Sequence, residues 1–192
     1  EEECREAIEC GFTSVMFDGS RLPLKENIDK TARIAELAHA AEVSCEGEIG
    51  FVGYSDGEQS NGTKPSEAKK FAAETKVDAM AISVGNVHLQ KNKEGTLDLK
   101  TIRQIEELTS TPLVIHGGSG VSLAQRSYLA KNSKICKFNI GTELRMVFGE
   151  ALKKSLEKDP TQFDRVQILS KTNDPIVEAT RKVLNTFKAE KK

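Results

Sequence analysis

Basic blocks, long apolar runs and paired cysteines are all missing from this chain of 192 residues. Lys and Arg are spread along it, the formal net charge is −1 and no acidic tail is present, so nothing points to a nucleic-acid partner. No apolar run reaches membrane-spanning length, so no membrane association is expected. No signal-peptide pattern opens the chain, which begins Glu1-Glu2-Glu3 in place of an initiator Met. The four cysteines, Cys4, Cys10, Cys45 and Cys136, form no CxxC pair. Cys45 and Cys136 lie inside apolar strand patterns, where buried free thiols fit a reducing cytoplasm better than disulfides do. Only three histidines occur, so each must be weighed.

What is present is 38% hydrophobic and 30% charged residues, enough for one core and one domain over residues 1–192. Short β-rich runs alternate with longer helical patterns. Residues 1–10 are expected to be helical, stopped by Gly11. Strands are expected at 13–19, 43–50, 78–88, around 112–116 and at 134–143. Helices are expected at 24–40 and 65–75, after caps at Asp98, Ser122 and Thr142, and as two segments within 160–188 punctuated by Pro160 and Pro175. Five β units each followed by a helix imply a parallel α/β sheet. A doubly wound sheet and a (β/α)8 barrel both satisfy that pattern, and a barrel typically takes about 250 residues.

Either architecture gathers strand C-terminal ends on one side. Four successive units end in Asp18, Glu48, His88 and His116. Singly, each has a plain structural role: a turn former before Gly19, a solvated strand end, or a histidine satisfied by carbonyls. Jointly, two histidines and two carboxylates suit a divalent metal such as Zn²⁺. His39, within a helix, reads as a helix-end cation or packing residue. The glycines of HGGSG (Gly117, Gly118, Gly120) let backbone approach a ligand, and Ser119 adds a hydroxyl. One unit later, Gly141 and Thr142 stand at a helix N-terminus, which favours phosphate. A metal beside a phosphate cradle suits a phosphorylated ketose or triose undergoing C–C bond cleavage.

Five motifs in order, GFTSVMFDGS, EGEIG, VGNVH, LVIHGGSG and KFNIGTEL, resemble the class II, metal-dependent ketose-bisphosphate aldolases, which include the fructose- and tagatose-bisphosphate enzymes. The resemblance implies a (β/α)8 TIM barrel, dimeric or tetrameric, with about three N-terminal strands missing from this sequence. It implies reversible cleavage of a ketose 1,6-bisphosphate to dihydroxyacetone phosphate and an aldehyde such as glyceraldehyde 3-phosphate. By position, His88 and His116 resemble two histidine ligands of the catalytic metal, and Asp18 and Glu48 resemble acidic positions for a second or alternative metal site. Gly85, Gly117, Gly118 and Ser119 resemble loops holding the dihydroxyacetone phosphate end, with a monovalent cation in some members. Asn139 resembles the asparagine that stabilises the enediolate, Gly141 and Thr142 further phosphate contacts, and Arg165 the arginine reaching the distal phosphate from a neighbouring subunit.

The sequence departs from that family in three places. The HxDH-like segment, with the acid/base aspartate and a third histidine, is expected upstream of Glu1. Leu89 follows His88 where the family commonly has glycine, and FDR stands where DPR is common. Two other functions fit parts of the pattern: a class I, Schiff-base aldolase using Lys137, or a sugar-phosphate binding protein without catalysis.

Overall fold

Residues 1–55, 57–93 and 95–187 are described by a computed structural model. Five parallel strands, β1 (Ser14–Phe17), β2 (Ser44–Ile49), β3 (Ala79–Ile82), β4 (Leu113–Ile115) and β5 (Ile135–Phe138), lie side by side in sequence order. A doubly wound sheet reverses its strand order at a switch point, and this sheet does not. The order is that of consecutive units of a (β/α)8 barrel. Helix α1 (Glu2–Glu9) precedes β1, and α2 (Leu24–Ala40), α3 (Pro65–Thr75), α4 (Leu99–Leu108) and α5 (Leu123–Asn132) link successive strands. Helices α6 (Thr142–Lys158) and α7 (Arg165–Phe187) follow β5. No helix among the described residues is long and apolar enough to cross a membrane.

Local chemistry explains most boundaries. The Asp98 carboxylate accepts the N–H groups of Lys100 and Thr101, each at 3.0 Å, and so starts α4. Ser122 Oγ does the same for α5, accepting from Gln125 at 3.3 Å. Pro65, with no N–H to satisfy, opens α3. Gly11, at φ 86°, turns the chain after α1.

Three expectations need correction. Gly141, not Thr142, occupies the N-cap position of α6, and Thr142 begins the helix without a side-chain cap bond. Residues 165–187 form one helix with Pro175 inside it, because packing of α7 on α6 and α5 outweighs the lost backbone bond. The expected end at 188 lies outside the described residues. Cys136 is exposed, since a register irregularity between Leu113 and Val114 displaces it from the ladder. Cys45 is buried as expected, and none of the four cysteines is in a disulfide.

Alternation divides each strand between two faces. Cys45, Ile49, Met80, Ile82, Leu113 and Ile115 join Ile34, Phe71, Ile102 and Ile105 of the helices in one core. Gly47 is the gap in that row: a Cβ there would come within 2.9 Å of the Phe71 ring. On the opposite face the paired positions are Glu46 beside Ala79, then Glu48, Ala81, Val114 and Lys137. Two carboxylates and a lysine thus share a face with small or short side chains, which leaves them room to meet.

Candidate active site

His116 leaves β4 directly and is 5% exposed. Its Nε2 lies 3.0 Å from Glu46 Oε1, and its Nδ1 lies 2.8 Å from Glu48 Oε2. Glu46 and Glu48 point the same way because they are two residues apart on β2. Lys137 Nζ, from β5, reaches Glu46 Oε2 at 2.6 Å. Burial opposes a charge on His116, but the hydrogen bonds its ring donates to both carboxylates outweigh it and push its pKa up to about 9. Burial likewise works to raise the Glu46 carboxyl, yet its bonds to His116 and Lys137 hold it below the usual carboxylate range.

The His88 ring stands beside that of His116, with centroids 6.0 Å apart and planes at 44°. Burial, then the neighbouring His116, hold His88 below the ordinary histidine range, against the pull of Glu48 and Asp18. A neutral imidazole keeps a lone pair for a metal. Tyr54 also packs on His88, with ring centroids 5.1 Å apart. The backbone fixes the pair: His88 N–H donates to Gly53 O at 2.8 Å, and a Cβ on Gly117 would sit 2.4 Å from Val87 O. Only glycine, here at φ 62°, permits that approach. Asn86, 2% exposed, donates to His116 O at 3.0 Å and accepts from Val84 N–H at 2.8 Å, tying the ends of β3 and β4 together.

The donor types suit a divalent cation, with two adjacent imidazoles and the Glu48 carboxylate at one sheet end, although His116, both of whose nitrogens meet carboxylates, would have to release one of them to join. Among the described residues, no three His, Cys, Asp or Glu side chains already form a metal-holding group. Asp18 directly follows β1, and its carboxylate accepts from the N–H and hydroxyl of Ser20 at 3.0 and 2.6 Å. It therefore serves as a turn former as well as a charge felt by His88.

A cavity of about 430 Å³ runs from His88 along Gly117, Ser119, Asn139, Gly141 and Thr142 to Arg145. It joins most of the residues expected to hold substrate. Gly118 instead spends its N–H on Asn139 O at 3.0 Å and so stitches the two loops together. Gly85, at φ 97°, shapes the turn after β3 and does not line the cavity. Arg165 lies exposed at the start of α7, also away from the cavity lining.

The structure adds residues that the motif reading passed over. Glu46 had a signal, since the EGE alternation places it on the face of Glu48. Arg145 had a weaker one, one turn into a helix that starts at the phosphate loop. Arg126 had none, being a fully buried arginine inside α5.

Leu89 also stands out, at φ 57° and 43% exposed beside the cavity. The left-handed region costs a residue with a Cβ about 1–2 kcal/mol, and glycine's extra freedom in the unfolded chain returns about 0.5–1 kcal/mol of that. Leu89→Gly is therefore expected to leave stability unchanged or raise it by up to about 1.5 kcal/mol. Urea unfolding checks this, and a loss of stability would show that the strain has been misjudged.

All 192 residues match the family model described as fructose-bisphosphate aldolase, class II. A fructose-bisphosphate aldolase of Geobacillus stearothermophilus is 37% identical over 91% of this chain. A 6-phospho-5-dehydro-2-deoxy-D-gluconate aldolase of Shouchella clausii is 35% identical over all of it. The chain spans 62% and 66% of the lengths of these two relatives. The crystal structure of the YdjI aldolase from Escherichia coli K12 superposes with a TM-score of 0.76, at 25% identity, over 97% of this chain and 64% of that one. With His88 and His116 side by side next to a glycine-lined cavity, and a match to the family model running from end to end, the chain belongs to the class II fructose-bisphosphate aldolase family.

Proposed function

We propose that the protein is a metal-dependent aldolase that reversibly cleaves a ketose 1,6-bisphosphate, of fructose or tagatose type, to dihydroxyacetone phosphate and an aldehyde such as glyceraldehyde 3-phosphate. The observation that carries this reading is the single cavity shared by His88, Asn139 and the two glycine-bearing loops. His88, His116 and Glu48, with Asp18 nearby, would hold the cation; their nitrogen and oxygen donors suit Zn²⁺. When bound, the ion supplies Lewis-acid polarisation of the ketose carbonyl.

The chain's own residues supply the phosphate cradle and the enediolate contact. The Gly117 and Gly141 backbone, with the Ser119 and Thr142 hydroxyls, receives the phosphate at the N-terminus of α6, where the helix dipole favours an anion. Ser119 Oγ accepts from Glu143 N–H at 3.3 Å, which leaves its own proton to donate. Arg145 adds a full positive charge at the cavity wall. As the C4 hydroxyl gives its proton to the acid/base aspartate that the resemblance implies, C4 becomes the aldehyde, the electrons of the breaking C3–C4 bond pass into the dihydroxyacetone fragment as an enediolate, and the Asn139 amide stabilises that charge. The two relatives are named for different sugars, each bearing phosphate. The cradle therefore accounts for what they share rather than for which sugar is used.

In this reading residues 1–192 act as part of one catalytic domain in a cytoplasmic homo-oligomer. Support for the oligomer comes from Phe163 and Val166, 93% and 65% exposed on either side of Arg165. Apolar residues flanking a guanidinium suit a subunit face from which Arg165 reaches the distal phosphate. A monovalent cation beside the phosphate loops belongs to the same proposal.

A Schiff-base route through Lys137 is disfavoured because its ammonium is paired with Glu46 at 2.6 Å, and attack requires the neutral amine. An aldol-cleavage assay on fructose and tagatose bisphosphates, before and after EDTA, tests the proposal. Activity should vanish with EDTA and return with Zn²⁺. EDTA-resistant cleavage, with borohydride trapping substrate on Lys137, would replace this reading with the other. Metal and ketose-phosphate binding without cleavage would indicate a non-catalytic binding protein.

A further inference from the structure

We infer that Tyr54 is a specificity-determining residue: its hydroxyl donates to the oxygen on C4 of the ketose and so selects the configuration of that carbon. The inference deepens the aldolase reading proposed above and rests on it. It begins with the order of the loops. The strands lie in sequence order, about 4.8 Å apart, so the loops that follow them stand in a row along one rim. Tyr54 follows β2, His88 follows β3, Gly117 and Ser119 follow β4, and Asn139 and Thr142 follow β5. All six line one cavity. In strand order, then, the phosphate cradle comes after His88 and Tyr54 before it. A ketose held by its 1-phosphate in the cradle, with C2 and C3 between Asn139 and His88, extends C4 towards Tyr54.

The tyrosine is firmly held. Backbone bonds secure it through both neighbours: His88 N–H donates to Gly53 O at 2.8 Å, and Ser55 N–H donates to His88 O at 3.1 Å. Tyr54 and His88 thus form a bridge like that of adjacent parallel strands. Tyr54 N–H donates to Glu58 O at 3.0 Å and closes the turn that follows. The ring rests on His88 at 5.1 Å and near Phe51 at 6.5 Å, between centroids. Arg21 lies over the Phe51 ring at 4.4 Å and pairs with Glu58 at 2.6 Å, so the loop after β1 braces the segment that carries the tyrosine. The chain has two tyrosines, and their hydroxyls differ. Tyr128 Oη accepts from Arg103 at 2.8 Å. Tyr54 is 42% exposed in the cavity wall, and its hydroxyl meets no partner among the described residues.

Tyr54, His88 and Leu89 are what the β2 and β3 loops give the cavity. Leu89 has no polar group and His88 is assigned to the cation, which leaves the tyrosine to read a hydroxyl. A phenol O–H on a fixed ring holds an oxygen on one side of C4 and not on the other. Fructose and tagatose bisphosphates differ in that configuration alone. The C4 oxygen accepts this bond while giving its own proton to the acid/base aspartate. In the condensation direction, the same bond fixes which face of the aldehyde carbonyl meets the enediolate.

The test compares Tyr54→Phe with the parent, both as the whole protein, because phenylalanine keeps the packing and removes only the hydroxyl. Cleavage of fructose and tagatose 1,6-bisphosphates is measured for each, and kcat/KM is expressed as a ratio between the two sugars. The parent should prefer one sugar, and the variant should narrow that preference about tenfold, the order of one neutral hydrogen bond. Exchange of the C3 proton of dihydroxyacetone phosphate with deuterium oxide should stay close to the parent's rate, since no C4 is present in that step. A preference unchanged by the substitution would overturn the inference. So would a parent that takes both sugars equally, or an exchange rate that falls in step with cleavage, which would place the tyrosine's effect on His88 instead. Cleavage of neither sugar by the parent would sink the aldolase reading itself, and this inference with it.

Discussion

Replacing His88 with alanine is expected to abolish metal binding and aldol cleavage together while the fold survives, whereas His116→Ala is expected to lose both and destabilise the protein as well. Changing an outer partner of a metal ligand costs about 10–100-fold in affinity or activity, so loss of a ligand should exceed about 100-fold. The difference between the two variants comes from their surroundings. His88 is half-buried against Tyr54 and His116 and, among the described residues, forms no ion pair with a buried carboxylate. His116 stands between Glu46 and Glu48, whose side chains are 6% and 3% exposed. Without the imidazole, Glu46 keeps Lys137, but Glu48 is left as a buried charge without its partner. Removing one member of such a pair typically costs about 3–5 kcal/mol. Metal content by plasma emission, cleavage rate and urea unfolding should be read on both proteins. A His88→Ala variant that retains stoichiometric metal would end the assignment. A His116→Ala variant as stable as the parent would show that the carboxylate pairing contributes little.

The sequence was most legible where a single local rule decided the outcome. The helix over 24–40 emerged with the expected bounds, because apolar residues recur on one face and Pro23 precedes it. Asp98 and Ser122 capped the helices they were expected to cap. The expected strands ran long at both ends, since the apolar pattern continues into site loops. His88 lies six residues beyond Ile82, on a loop rather than at a strand tip. Such loops carry strand-like residues but bond to side chains, as Val84 does to Asn86. Pro175 misled for a different reason: helix interruption is a local tendency, and packing between α6 and α7 overrode it.

Within the candidate site, His116 at its strand end and the glycine loops could be read directly, because their chemistry is unusual for a buried strand, whereas His88 was placed on a strand that ends six residues earlier. What could not be read was pairing across the sheet. Glu46 and Lys137 are 91 residues apart in sequence, and only the strand register shows that they meet. Arg126 is the extreme case. An arginine within LAQRSYLA reads as a solvated helix residue, yet it is 0% exposed.

That arginine yields the second large expectation: Arg126→Met should cost about 3–5 kcal/mol and loosen the phosphate cradle without touching the metal. Its guanidinium donates to Val121 O at 3.0 Å, to Ser119 O at 2.6 Å and to Glu143 Oε1 at 2.7 Å. One side chain thus joins the HGGSG loop to the first turn of α6, the two segments that line the cavity. Methionine fills similar volume but strips buried acceptors of their donor, at about 1–3 kcal/mol for each one left unsatisfied. Glu143 is less exposed to the loss because Lys93 also reaches it, through Oε2. The double variant Arg126→Met with Glu143→Gln should therefore lose less than the sum of the singles, which a double-mutant cycle by urea unfolding would show. Below the unfolding temperature, the Michaelis constant for the ketose bisphosphate should rise about tenfold, corresponding to roughly 1.4 kcal/mol of phosphate binding. Metal content should stay at the parent level, since Arg126 touches neither His88 nor His116. A parallel loss of metal would mean that the cradle and the metal centre are one cooperative unit. An unchanged Michaelis constant would mean that the loops hold their shape without the arginine, leaving Gly118 N–H to Asn139 O and Glu143 N–H to Ser119 Oγ as sufficient links between them.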